Sequence, residues 1–160
     1  MHPMRNSQGT RMKIGISTFV NDDTIDAVTL ARATEERGFH SLVIAEHSHI
    51  PASRESAYPG GGELPAMYYR TLDPFVTLAA AAAVTTTIEL FTGVALLIQR
   101  DVIHTAKEAA SVDLISNGRF VFGVGAGWNL EEMRNHGTEP KTRGRLLDEQ
   151  IEAIKALWTE

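Results

Sequence analysis

Gly118-Arg119-Phe120-Val121-Phe122-Gly123-Val124-Gly125-Ala126-Gly127-Trp128-Asn129 is the stretch on which the fold turns. Residues 119–124 are rich in the β-branched and aromatic side chains that suit a buried strand. Gly123, Gly125 and Gly127 then allow a tight turn into the next helical segment, a place where anions and flat ligands bind. A dinucleotide fingerprint needs its third glycine three residues after the second. That position is Trp128 counting from Gly123 and Leu130 counting from Gly125, so the spacing fails in both frames. Trp128 offers a broad aromatic face beside the turn instead. A tight turn without ligand is the plain alternative, and Trp128 and Asn129 favour a site.

Outward from that stretch the same alternation repeats. Short apolar runs alternate with amphipathic segments, the pattern of βα units feeding a parallel sheet. The first strand covers residues 13–19. It is followed by an Asn21-Asp22-Asp23 turn and a helix with Ala27, Leu30, Ala31 and Thr34 on one face, closed by Gly38. The second strand, residues 41–46, enters a loop of roughly 25 residues, far longer than a usual strand-to-helix connection. Asp73 as N-cap and Pro74 at the first position then open a helix that buries Phe75, Leu78, Ala79 and Ala82. Residues 88–98 read as one nearly continuous buried strand. Ile103, Ala106, Ala110 and Leu114 give the next helical stripe, ended by Asn117 and Gly118. The last helix runs from about Thr142, with Leu147, Ile151, Ile154 and Trp158 inward and Arg145, Glu149, Glu152 and Lys155 outward. Four βα units fit an open doubly wound sheet or half of an eight-fold barrel.

Composition narrows the functions. The chain has 160 residues, enough for one core, and a formal charge of −5, which supplies no basic stripe for a nucleic-acid backbone. Small molecules are the expected partners. The absence of cysteine removes disulfides and thiolate chemistry and fits a reducing, cytoplasmic compartment. No apolar run approaches the roughly 20 residues of a membrane span. Residues 1–11 read as a disordered leader, and residues 12–160 as the folded unit.

At the end of the second strand stands Glu46-His47-Ser48-His49. Barrel enzymes place catalytic groups at this strand edge, which makes His47 the candidate catalytic residue with Glu46 beside it. Strand alternation points His47 and His49 the same way, so a metal pair with Glu46 behind it is a second reading. It resembles amidohydrolase barrels, although those carry the pair on their first strand and no third or fourth ligand follows here. A solvent-facing or capping role accounts for the other histidines. Within the third strand, Thr92-Gly93-Val94 places a glycine where close approach of a ligand or a bulge is expected. The long loop carries Tyr58, Gly60, Gly61, Gly62, Tyr68 and Tyr69, a composition suited either to a lid or to a plain surface insertion.

Taken in order, Ala45-Glu46-His47, Leu72-Asp73-Pro74-Phe75, Thr92-Gly93-Val94 and the run from Gly118 to Asn129 resemble the luciferase-like flavin monooxygenases, above all the branch using the deazaflavin coenzyme F-420. Arg143-Gly144-Arg145 and Ala156-Leu157-Trp158-Thr159 add weaker likeness. The resemblance implies a TIM (β/α)₈ barrel of which this chain holds the first four units. It implies a reduced deazaflavin, or FMN as the alternative, serving hydride transfer or monooxygenation of a small organic substrate. It also implies a site with His47 and Glu46 as catalytic residues and Thr92, Gly93, Val94, Gly125, Ala126, Gly127, Trp128 and Asn129 against the cofactor. Gly93-Val94 would be a cis peptide, and Glu131 or Glu132 an assisting acid. Family members are about twice as long, so the chain reads as an N-terminal half. Pairing with the missing half or self-association is then expected, and a non-catalytic remnant is a further possibility.

Overall fold

The computed structural model describes residues 12–160. The expected leader, residues 1–11, lies outside the described residues. Six short strands and five α-helices alternate along the chain: β1 (Gly15–Thr18), α1 (Ala27–Glu36), β2 (Ser41–Ile44), α2 (Pro74–Ala82), β3 (Glu89–Thr92), β4 (Ala95–Leu96), α3 (Val102–Ser116), β5 (Phe120–Val121), β6 (Val124–Gly125), α4 (Leu130–Asn135) and α5 (Arg143–Thr159). The main sheet is parallel throughout in the order β1-β2-β3-β5, and β4 pairs with β6 beyond it. With β3 and β4 counted as the third strand and β5 and β6 as the fourth, each strand lies beside the one before it. This is the arc of a (β/α)₈ barrel over its first four units, not the reversing order of a doubly wound sheet.

Register decides which face is which. Ile16, Leu42, Leu90 and Phe120 stand opposite one another, and all belong to or pack on the core formed with the helices through Ala31, Phe75, Leu78, Ala81 and Ala109. The alternate row, Ser17, Val43, Phe91 and Val121, faces the concave side. There Val43 and Phe91 are half-buried and Ser17 and Val121 exposed. A closed barrel fills that space with layers of side chains; in this chain it is open.

Helix ends follow the sequence signals. Asp73 accepts from the backbone of Phe75 and Val76 at the start of α2, and Asp26 and Asp101 cap α1 and α3 in the same way. Gly38 takes φ +73° just after α1, where its N–H bonds to the Glu35 carbonyl. None of the described helices is long and apolar enough to cross a membrane.

Four expectations need correction. Residues 88–98 are not one strand. The chain breaks at Gly93–Val94, a cis peptide, resumes as β4, and ends in a 3₁₀ turn, Leu97–Gln99. The fourth strand breaks likewise between β5 and β6, with Thr92 Oγ1 donating to the Gly123 carbonyl across the gap at 2.7 Å. The α3 stripe is shifted in phase. Ala106 is buried, but so are Thr105, Ala109, Val112 and Ser116, whereas Ile103 is 64% and Leu114 79% exposed, and Ala110 is exposed too. Small residues let α3 approach the sheet and α2 closely, which turns its large side chains outward. Trp158, expected inward, is 47% exposed; its indole N–H donates to the Ala106 carbonyl and its ring meets Phe122.

Candidate active site

All strands of a parallel arc end at one edge, and the site is built there. β2 stops at Ile44, so the following residues leave the pleat and alternation no longer governs them. His47 and His49 therefore diverge. The His47 side chain is 5% exposed and lies among Phe19, Tyr68 and Trp128, with ring centroids at 6.4, 5.4 and 5.6 Å. His49 turns toward α4, against His136 and Asn135. Tyr58 closes the aromatic ring of neighbours, at 5.4 Å from Tyr68 and 6.1 Å from Trp128. Burial, with the hydrogen bond that the Tyr68 hydroxyl donates to Tyr58, pushes the Tyr68 phenol up to about 12, so it stays a neutral donor at ordinary pH.

The acid partner of His47 is Glu132. Its Oε2 lies 2.8 Å from His47 Nδ1, and its Oε1 accepts from the Ser48 N–H at 2.9 Å and the Ser48 hydroxyl at 3.1 Å. The Glu132 side chain is fully buried. Burial alone would raise its carboxyl, but the hydrogen bonds and charge of His47 and the two Ser48 donors outweigh it and hold the group below the usual carboxylate range. An ionised carboxylate accepts only, so Nδ1 carries the imidazole proton. Nε2 makes no hydrogen bond to the described residues.

Glu46 stands next in sequence to His47 but serves another purpose. Its oxygens accept from the Leu96 N–H and from Arg100, both at 2.7 Å. The Arg100 guanidinium also reaches Asp73 and Glu108 and lies 4.7 Å over the Phe75 ring. This knot ties the end of β2 to β4 and to the starts of α2 and α3. Glu46, expected as a catalytic residue, is thus placed as a brace.

The glycine run divides in a similar way. Gly93 presses on β2, since a Cβ there would meet Val43 Cγ1 at 2.2 Å, and one on Gly125 would meet Val94 Cγ2 at 2.7 Å. Val94, Gly125, Ala126 and Trp128 keep accessible surface at the strand edge. Thr92, 1% exposed, stitches β3 to Gly123, and Asn129, 3% exposed, caps α4 through the Glu132 N–H. Gly127, at φ +71°, packs over Leu96, Gln99 and Met133. Those three shape the turn from within.

Glu131, adjacent to Glu132, fastens the long loop. It accepts from the backbone of Glu55 and Ser56 and from the Ser56 hydroxyl, whose oxygen in turn accepts from the Leu130 N–H at 3.0 Å. Burial opposes its charge, but these donors bring it down to about 2. The loop's far end is held by Thr71 Oγ1 donating to the His47 carbonyl at 2.8 Å. Its apex, Gly60–Gly62, is exposed, and nothing lies within 4 Å of where a Cβ on Gly61 or Gly62 would project.

The metal reading finds no ligand set. His47 and His49 have separate partners, and among the described residues no three His, Cys, Asp or Glu side chains are grouped to hold an ion. Sequence reasoning missed Ser48, Arg100 and Phe19, and left Glu131 and Glu132 unresolved. The acidic pair after a glycine turn was the available signal.

The profile of the luciferase-like monooxygenases matches residues 3–160. The chain belongs to that family. An uncharacterized protein of Mycobacterium tuberculosis (strain H37Rv) is 45% identical over 152 residues, covering 93% of this chain and 54% of that protein. This luciferase-like chain thus spans about half the length of the curated relatives it matches. Among solved structures, the monooxygenase RslO1 from Streptomyces bottropensis superposes with a TM-score of 0.74 at 28% identity, over 93% of this chain and 44% of that one. Two further structures share the fold. They are the FMN complex of the oxygenating constituent of 3,6-diketocamphane monooxygenase from Pseudomonas putida, with a TM-score of 0.73 at 19% identity over 92% of this chain and 39% of that one, and the coenzyme F420 dependent tetrahydromethanopterin reductase of Methanopyrus kandleri, with 0.60 at 22% over 89% and 39%. The half-barrel fold is that of the family.

Proposed function

We propose that this chain forms one wall of the active site of an oxidoreductase that uses a deazaflavin or flavin coenzyme to reduce or monooxygenate a small organic substrate. The observation that carries the reading is the meeting of His47 and Trp128 at one strand edge, their rings 5.6 Å apart, beside the Gly93–Val94 and Gly125–Ala126 backbone. A planar tricyclic ring suits these residues, because Gly125 has no side chain to obstruct the Val94 shelf and Trp128 supplies a π face. Val94, Gly125, Ala126 and Trp128 would hold it. When bound, such a coenzyme supplies the two-electron chemistry. The chain's own part is to keep water out with Phe19, Tyr58 and Tyr68 and to accept a proton at His47 Nε2.

F-420 is preferred to FMN because the Gly127-Trp128-Asn129 run and the long second loop look more like that branch. The remaining wall, with the coenzyme's phosphate site, would come from a second set of four βα units, whether continuous with this chain or on another. The cytoplasm is the compartment that fits a chain without cysteine.

Fluorescence titration tests this. Both coenzymes are added to this chain and to a version carrying four further βα units. The extended form is expected to bind one coenzyme tightly, with quenching of the signal that Trp128→Phe abolishes; this chain alone should bind at least tenfold more weakly. An extended form that binds neither coenzyme overturns the proposal and leaves a non-catalytic remnant.

A further inference from the structure

Behind His47 lies a set of hydrogen bonds whose protons can be assigned one after another. Asn135 Nδ2 lies 2.8 Å from His49 Nε2, so that nitrogen accepts and His49 carries its proton on Nδ1, 2.9 Å from Ser48 Oγ. His136 Nε2 is 2.7 Å from the same oxygen. Ser48 Oγ also lies 3.1 Å from Glu132 Oε1. A hydroxyl has one proton and two lone pairs, and the ionised Glu132 can only accept. One arrangement satisfies all three neighbours. His49 Nδ1–H and His136 Nε2–H donate to Ser48 Oγ, and the Ser48 hydroxyl donates to Glu132 Oε1. Glu132 Oε2 is left for the proton on His47 Nδ1.

We propose that Ser48 is a positioning residue that holds Glu132 ionised and in one orientation, and thereby locks His47 in its Nδ1–H tautomer with Nε2 as the proton acceptor of the site. The physical reason lies in the burial of Glu132, which leaves its oxygens no access to water. Ser48 gives Oε1 both of its side-chain and main-chain donors. Removing the hydroxyl leaves that oxygen under-satisfied, which favours the neutral acid. A neutral carboxyl can donate to Nδ1, and His47 would then carry its proton on Nε2, the wrong nitrogen for a base. Phe19, Tyr68 and Trp128 are its aromatic neighbours, and the Glu46 carboxylate is taken by Arg100 and the Leu96 N–H. Ser48 itself is exposed, so its replacement disturbs no packing.

The inference rests on reading His47 as the site's base, yet its test needs no coenzyme. Imidazole ¹⁵N NMR is recorded on this chain, with exchange of the His47 ring proton against water. The unsubstituted protein should show His47 protonated on Nδ1, and Ser48→Thr should match it. Ser48→Ala should bring the two ¹⁵N shifts together as tautomers mix, and speed Nδ1–H exchange about tenfold, the loss of one hydrogen bond to a charged group. Melting of Ser48→Ala should fall only by the cost of that one hydrogen bond, and the unaltered ring of Ser48→Thr separates the hydroxyl's effect from a general loss of structure. His47 protonated on Nε2 in the unsubstituted chain overturns the proposal, as does a Ser48→Ala protein with unaltered tautomer and exchange. Failure of coenzyme binding, by contrast, would sink the oxidoreductase reading and leave this result standing.

Discussion

At the residue scale, neighbours in sequence have opposite duties. Glu46 braces Arg100 while His47 faces the aromatic cleft, and Glu131 fastens the loop while Glu132 holds His47. His47 was legible because a histidine just past a buried strand stands where barrels do chemistry. Its partner was not, since the phase of a six-residue helix decides which of two consecutive buried carboxylates meets His47. Two substitutions test the residue assignments. Gly93→Ala places a methyl against Val43 and should lower stability by about 1–3 kcal/mol in urea unfolding, the usual range for overpacking. Val43→Ala in the same protein should recover much of that loss, because it removes the colliding methyl. Asn129→Ala should lower stability by about 1 kcal/mol through loss of the α4 cap. An Asn129→Ala protein that is fully stable yet loses coenzyme affinity would return this residue to the binding surface.

At the element scale, the loop between β2 and α2 is pinned at its two roots and free at its apex. The Glu131 clamp makes the near root rigid. Glu131→Gln should speed amide exchange at Glu55 and Ser56 while leaving the α2 amides unchanged. Acid should do the same by titration. The folded carboxyl is lowered from 4.5 to about 2, so its stabilisation is complete above pH 4.5 and is lost as pH falls toward 2. Protection of the two amides, corrected for the intrinsic pH dependence of exchange and followed from pH 6 downward, should fall only in that window. Element boundaries show where sequence reading ends. The helix start at Asp73 was readable because caps are chemical, whereas the breaks after β3 and β5 were hidden inside continuous apolar runs. The phase of α3 was lost for a related reason. Its alanines, threonine and serine carry little hydrophobic signal, so Ile103 and Leu114 dominated the pattern while standing outside.

At the scale of the molecule, four repeating units were legible because their alternation is regular, but closure was not, since it depends on surfaces this chain leaves uncovered. The concave row of Val43, Phe91 and Val121 is open, and Ala110, Leu114, Phe120, Phe122 and Trp158 line an apolar groove of about 640 Å³ beside β5. Among the described residues, β1 and β5 both end the sheet with unpaired backbone. Such edges and faces associate. In sedimentation at rising concentration the 160-residue chain should therefore move from monomer to larger species, little affected by salt; a monomer at all concentrations would contradict this. On the proposed function, with His47 and Trp128 at one rim and the opposite rim supplied by a second set of units, turnover would occur where two (β/α)₄ pieces meet. The proposed catalysis would then double as a sensor of assembly: fused to two unrelated proteins, the pieces would report by their turnover whether those proteins touch.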